Sequence, residues 1–396
     1  MFYKSGFRIE RLIRNLGVQI VFLALRTEMI YIYIYMKILT LIFISASFLL
    51  SVVLIPLVIK FCKAYSLYDS VNARKIHSGN IPRLGGIGIF LAFMASAVLC
   101  MLITPALSSA RSLPILIAGL MVFLFGIIDD IFDIKAIFKL LVQLVATAIV
   151  VANGFRFRQI FNWTIPIPLA MVLTFGWILG MINAYNLIDG LDGLCGMLSF
   201  TTLLTIGFVL RHSFYEGTII CFILAAAILG FLLYNWPAPN AKIFMGDGGS
   251  QFLGFMIATI PLYSSATEFE FNKFEMMLVL VSFPMMDTIA AIWRRIRDHK
   301  PIMSPDRSHL HHKLLNLGFG KRNALYIVLG IQILICVTVA LSTFLEKPMA
   351  AILLAVALAF MTCFFAVIHY TNRAVLRKIR EKSEFIPEEQ ARIPEA

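Results

Sequence analysis

Apolar runs of about 20 residues recur along nearly the whole chain, separated by short polar connections. At 1.5 Å per residue, such a run is as long as the hydrocarbon core of a bilayer is thick, so each reads as a membrane-spanning helix. The pattern predicts eleven spans, at 38–59, 84–104, 113–128, 136–152, 164–182, 191–210, 217–235, 249–264, 276–293, 323–345 and 348–370. The expected fold is therefore an all-α polytopic membrane protein, with one transmembrane domain over 38–370 and a charged tail over 371–396. Residues 1–37 fit this pattern poorly. LGVQIVFLAL is too short to span and runs directly into Arg26 and Glu28, whereas Met36-Lys37 followed by an apolar run looks like an ordinary start. The segment reads as an upstream start or an amphipathic arm, without the small-residue cleavage site of a secretory signal.

Composition supports the pattern. The chain is 60% hydrophobic and only 14% charged, with mean hydropathy +0.87, which excludes a soluble globular domain of this size. The net charge of +12 could suggest nucleic acid. Its distribution instead follows the positive-inside bias, and no nucleic-acid partner is expected. Lys60, Lys63, Arg74, Lys75, Arg83, Lys135, Lys242, the basic run over 294–322 and the tail all fall on one side. The opposite side holds only Arg111, Arg156, Arg158, Arg211, Lys273 and Lys347, so the first side is expected in the cytoplasm. The six cysteines lack CxxC spacing and mostly lie in apolar runs, as small packing residues do.

With this orientation, every polar cluster falls on the cytoplasmic side. GIIDDIFDIK carries Asp129, Asp130 and Asp133, a spacing suited to Mg²⁺ and phosphate, or to a solvated charge run. INAYNLIDGLDGLCG carries Asn183, Asn186, Asp189 and Asp192. It is one face of a helix, a tight helix start whose N–H groups can hold an anion, or a plain turn built from Asn, Asp and Gly. MGDGGS sets Asp247 among glycines, where a carboxylate can ligate Mg²⁺ or simply form a turn. In SPDRSHLHHKL, His309, His311 and His312 stand beside Arg307 and Lys313. Without a fourth ligand, a cationic hydrogen-bonding clamp for phosphate is favoured there over zinc. RKIHSGNIPRLGG (Arg74, Lys75, His77, Arg83) could bind phosphate or merely mark the cytoplasmic side. Two charges sit within spans: Lys139, able to reach back to the aspartates with Gln143 one turn deeper, and Asp287, expected to brace the same cleft. Together these positions predict one cytoplasm-facing cleft for a charged ligand.

In combination and in order, from about Asp69 to Leu314, these motifs resemble the polyprenyl-phosphate N-acetylhexosamine-1-phosphate transferases, glycosyltransferase family 4. HLHH looks like the branch using UDP-N-acetylglucosamine; the muramyl-pentapeptide branch would show three adjacent histidines. The resemblance implies a bacterial plasma-membrane enzyme that moves a sugar 1-phosphate from a UDP-N-acetylhexosamine to undecaprenyl phosphate, releases UMP and initiates a lipid-linked envelope glycan. It also implies Mg²⁺, with Mn²⁺ as the alternative ion, on Asn186 and Asp247. Asp129 and Asp130 would orient the lipid phosphate or take its proton, with direct attack favoured over a covalent carboxyl intermediate. Asp189 and Asp192 would shape the nucleotide and metal region, and Lys139 would hold a phosphate. Arg295, His309, His311 and His312 would grip the diphosphate or sugar, and Arg74, Lys75, His77, Asn183 and Lys242 complete the expected substrate-binding set. A homodimer is compatible with this scheme.

Two other classes share some of these features. An intramembrane Mg²⁺-dependent prenyltransferase would also use Asp-rich loops, but would not need the GDGGS and HLHH loops. A transporter would place its ionisable groups near the bilayer midplane rather than at one face.

Overall fold

The computed structural model describes residues 35–68, 81–104, 112–132, 134–236, 240–263, 267–301 and 309–384. Helices dominate: α1 (Tyr35–Ala64), α2 (Gly85–Ile103), α3 (Ser112–Phe132), α4 (Ala136–Ala152), α5 (Ile167–Ile188), α6 (Leu194–Leu210) and α7 (Tyr215–Asn235). They continue with α8 (Gly246–Thr259), a 3₁₀ turn (Ile260–Leu262), α9 (Thr267–Leu280), α10 (Ser282–Arg297), α11 (Leu310–Asn316), α12 (Lys321–Ser342) and α13 (Lys347–Glu384). A two-residue antiparallel hairpin, β1 (Gln159–Ile160) with β2 (Trp163–Thr164), pairs Gln159 with Thr164.

Each expected apolar run is matched by helix, but not all helices have the length of a span. Among the described residues seven are long and apolar enough to cross a membrane, and eight if the bent pair α9–α10 counts as one. This is a polytopic membrane protein. The run expected as a span over 276–293 is a bent pair, in which α9 and α10 meet at 75°. Pro284 explains the break. It has no N–H and clashes in a helix interior, but is tolerated in a first turn, so a new helix begins at Ser282 instead. The segment after 371, read as a tail, continues as helix to Glu384.

The bundle has an inside and a lipid side. In α7 78% of the most apolar window is buried, against 22% in α1 and 17% in α13, so α7 is central and the other two peripheral. Exposed Leu41, Val53, Leu102, Val172, Val356 and Val367 suit a surface solvated by lipid rather than water. The six cysteines are free thiols.

Helix α8 has only 14 residues and lies wholly inside, with Gly248 through Thr259 all buried. Glycines make that enclosure feasible. A Cβ at Gly126 of α3 would stand 2.5 Å from the Cα of Gly248, and one at Gly86 of α2 would stand 2.5 Å from the Cα of Gly249. Two backbones thus touch α8 where side chains would hold them off. Gln143, Asn183 and Gln251 fasten α4 and α5 to it: Asn183 Nδ2 donates to Gln143 Oε1 (3.0 Å), and Gln143 Nε2 to Gln251 Oε1 (3.2 Å). At the far end, the buried Lys273 donates from Nζ to the Leu262 carbonyl (2.9 Å).

Gly126→Ala should lower stability by about 1–3 kcal/mol, the usual cost of overpacking, because the obstructing atoms are backbone. Gly176→Ala on α5, where a Cβ meets nothing within 4 Å, should be neutral or stabilising by up to about 1 kcal/mol. Thermal unfolding of the two detergent-solubilised variants checks the contrast.

Candidate active site

Four helix ends converge on one acidic and cationic cluster. Asp129, at the end of α3, accepts the Ile134 N–H on Oδ1 (2.9 Å) and pairs through Oδ2 with Lys139 Nζ from the first turn of α4. Lys139 Nζ also lies 3.7 Å from Asp247 Oδ2, at the start of α8. One ammonium thus bridges two carboxylates, as the position of Lys139 led us to expect. Asn186, in the last turn of α5, donates to Ser250 Oγ (3.1 Å) and stands within hydrogen-bonding reach of the Asp247 carboxylate.

Asp130 is engaged differently. It is buried, and its two oxygens accept the backbone N–H groups of Asp247 and Gly248, each at 3.0 Å. A carboxylate here satisfies two orphan donors and complements the positive end of the helix dipole. Arg83 lies close enough to offset part of its charge. Gly246 makes the approach possible: its φ is +80°, and a Cβ there would run into the Arg83 carbonyl and come 2.7 Å from Asp130 Oδ2.

The INAYNLIDGLDGLCG stretch is a helix end, a turn and a helix start, with Asn183 and Asn186 still on α5. α5 stops at Ile188, Asp189 follows as its C-cap, and Gly193 opens α6 at φ +79°. Asn235 fastens the turn: Oδ1 accepts the Gly193 N–H (2.9 Å), while Nδ2 donates to the Ile243 carbonyl (2.8 Å). Asp192 Oδ2 accepts the Ala241 N–H at 3.4 Å. The turn and the irregular segment leading into α8 are thereby joined.

The histidines close the other side. A Cβ on Gly190 would stand 2.9 Å from His311 Nε2, so this ring lies directly against the turn. The rings of His309 and His311 are parallel with centroids 5.9 Å apart, and those of His311 and His312 are 4.2 Å apart. Asp287 of α10 anchors the group, through Oδ2 on His309 Nδ1 and Oδ1 on the Leu310 N–H, both 2.9 Å. The clamp expected from HLHH is corrected in one respect: His311 is not cationic. Burial, and then His312, push its pKa down to about 3, so the ring is neutral at physiological pH, with Nε2 buried and without a hydrogen-bond partner among the described residues.

Not every expected residue joins the cluster. Arg74, Lys75, His77, Asp133 and Arg307 lie outside the described residues. Lys242 is exposed, and its backbone N–H donates to the Tyr234 carbonyl (2.8 Å). Arg295 is buried on α10, with Nε lacking a hydrogen-bond partner among the described residues. Conversely, Gln143, Asn235, Ser250, Gln251 and Asp287 do more than the motifs assign them. Asn235 and Gln251 were detectable as polar residues embedded in apolar runs.

Among the described residues no three acidic, histidine or cysteine side chains form a closed metal cage. The donor set instead fits an ion that takes one or two carboxylates and completes its shell with water and substrate phosphate, as Mg²⁺ does. Two neighbouring carboxylates against one ammonium leave negative charge for a cation to balance.

A many-helix membrane protein whose helix ends gather acids, a lysine and imidazoles in this way has the makings of an integral-membrane enzyme for anionic substrates. A sequence profile of glycosyl transferase family 4 matches residues 112–265, which span α3 to the end of α8. A probable undecaprenyl-phosphate N-acetylglucosaminyl 1-phosphate transferase of Bacillus subtilis (strain 168) is 34% identical over 297 residues, 71% of this chain and 79% of the relative. An undecaprenyl-phosphate alpha-N-acetylglucosaminyl 1-phosphate transferase of Yersinia pestis is 34% identical over 271 residues, covering 66% and 73%. A decaprenyl-phosphate N-acetylglucosaminephosphotransferase of Mycolicibacterium smegmatis is 32% identical over 320 residues, covering 72% and 77%. The chain belongs to glycosyl transferase family 4.

The neutral His311 gives a pH signature. Its folded pKa lies below the unfolded 6.5, so its stabilising contribution is complete above that value and is lost as pH falls toward 3. Between pH 7 and 5 the loss should be about 2 kcal/mol. His311→Gln should show a correspondingly flatter decline of unfolding temperature over that range.

Proposed function

We propose that the protein transfers N-acetylglucosamine 1-phosphate from UDP-N-acetylglucosamine to undecaprenyl phosphate, releasing UMP. The observation that carries this reading is the convergence of Asp129, Lys139, Asp247 and Asn186 at one junction of helix ends, in a chain whose relatives bear that activity in their names. One substrate is a soluble dianion, and the other has an anionic head on a lipid tail. A site at the ends of membrane helices is where the two can meet.

In the proposed reaction an oxygen of the lipid phosphate attacks the phosphorus that carries the sugar. A new P–O–P bond forms, the bond to the uridylyl phosphate breaks, and UMP leaves with the electron pair. Asp129 orients the lipid phosphate and takes its proton, while Lys139 holds the incoming phosphate beside it. Asp130 keeps the α8 start in place rather than touching substrate. Asp247 and Asn186 would hold Mg²⁺, which when bound offsets the charge of the diphosphate. Asp189 and Asp192 frame the nucleotide side, and the histidines meet the diphosphate or sugar.

In this reading the chain crosses a bacterial plasma membrane eleven times, with α4, α6 and α8 crossing as short helices sheltered by the bundle. The single catalytic domain is 38–370, and the site faces the cytoplasm, where UDP-sugars and the excess of basic residues are found.

Membranes containing the protein, supplied with UDP-N-acetylglucosamine, undecaprenyl phosphate and Mg²⁺, should release UMP and form the lipid-linked sugar diphosphate. Absence of both products overturns the proposal. Supplying other UDP-N-acetylhexosamines in parallel fixes the donor. Asp247→Ala should reduce turnover at least about a hundredfold, as loss of a charged group from a phosphoryl-transfer site does. Its unfolding temperature should stay near the parent value, since Asp130 grips the backbone N–H rather than the side chain. Retained Mg²⁺-dependent turnover in that variant refutes the metal assignment.

A further inference from the structure

Asp287 is a carboxylate 1% exposed on α10, set back from the acidic cluster. Both its oxygens are committed to the histidine segment: Oδ1 accepts the Leu310 N–H, and Oδ2 lies 2.9 Å from His309 Nδ1. The first contact fixes where α11 begins, because Leu310 is its first residue and His309 its N-cap. The second fixes the chemistry of the imidazole. A carboxylate only accepts, so Nδ1 must carry a proton, and a neutral His309 then presents a lone pair at Nε2. His309 itself is 5% exposed and its ring is stacked parallel to His311, which stands against Gly190. One buried carboxylate therefore sets the position and the tautomer of His309, whose ring stacks on the histidine that lies against the turn.

We infer that Asp287 is a positioning residue for the transfer reaction, holding His309 as the Nδ1–H tautomer so that Nε2 meets the sugar 1-phosphate donor. This rests on the transferase reading above. His309 Nε2 is an acceptor toward a sugar hydroxyl when the ring is neutral, and a second donor toward phosphate when the ring is protonated. Reversing the tautomer reverses the neutral ring's polarity toward substrate without changing its shape.

Asp287→Asn makes that reversal. The amide oxygen still accepts the Leu310 N–H, but the amide nitrogen donates to His309 Nδ1 and drives the ring proton to Nε2. The variant should keep its unfolding temperature within a few degrees and lose at least tenfold in kcat/KM for UDP-N-acetylglucosamine. In a His309→Ala background the same substitution should cost less than threefold more. A second variant does not depend on how Asp287→Asn folds. His309→Asn retains a side-chain N–H that can reach Asp287 but lacks the outward Nε2. It should stay folded and lose at least tenfold in kcat/KM. Parental kcat/KM in either Asp287→Asn or His309→Asn overturns the inference, as does a full additional tenfold loss for Asp287→Asn in the His309→Ala background. Parental protein that releases no UMP overturns the transferase reading instead, so the two failures are distinguishable.

Discussion

The Asp130 carboxylate receives the Asp247 and Gly248 N–H groups, and the placement of three helices follows from that contact. Asp130 ends α3, so its grip on α8 aligns the two helices along their axes. The touching glycines, Gly126 on Gly248, set their separation. With α3 and α8 so aligned, Asp129 and Asp247 face each other, and Lys139 from α4 has two carboxylates to bridge. An unpaired carboxylate buried here would be costly; one that satisfies two helix-start donors is offset by them. The adjacent aspartates thus divide their work by direction: Asp130 faces the scaffold and Asp129 the cluster.

The site has a charged half and an imidazole half, and the Asp189–Gly193 turn lies between them. Asn235 secures this turn to the segment leading into α8, while Gly190 leaves room for His311 on the other side. The two halves differ in how they treat protons. The charged half concentrates carboxylates around one ammonium, whereas the buried His311 stays neutral. A ligand spanning both would meet cations and carboxylates at one end and hydrogen-bonding rings at the other, which suits a molecule with an anionic group joined to a hydroxyl-rich one.

Much of this was legible in the sequence, for identifiable reasons. Hydrophobic run length located the helices because lipid demands it, and the sidedness of polar motifs located the cluster. The reach of Lys139 toward the aspartates followed from its being one turn into its helix. The break between α9 and α10 was less visible: Pro284 marks it, but proline also occurs within continuous membrane helices. The partners that Asn235 and Asp287 hold were not legible, because Gly193 is 42 residues from the one and His309 and Leu310 are 22 and 23 residues from the other, and no local spacing encodes such pairings. The neutrality of His311 was likewise hidden, since it arises from enclosure by residues distant in the chain.

Helix α8 is bounded at both ends by buried charge of opposite sign, with Asp130 at its start and Lys273 on the carbonyl of the 3₁₀ turn that extends it. Each charge matches the partial charge of the helix terminus it meets. Sliding the helix by one turn, about 5.4 Å, would separate both pairs at once in surroundings that cannot solvate them. α8 therefore acts as a fixed post, axially pinned like a bolt with a head and a nut. Any movement of the bundle around a ligand has to be taken up by the elements around it, and α1 and α13 have the smallest buried share among the described helices long enough to span.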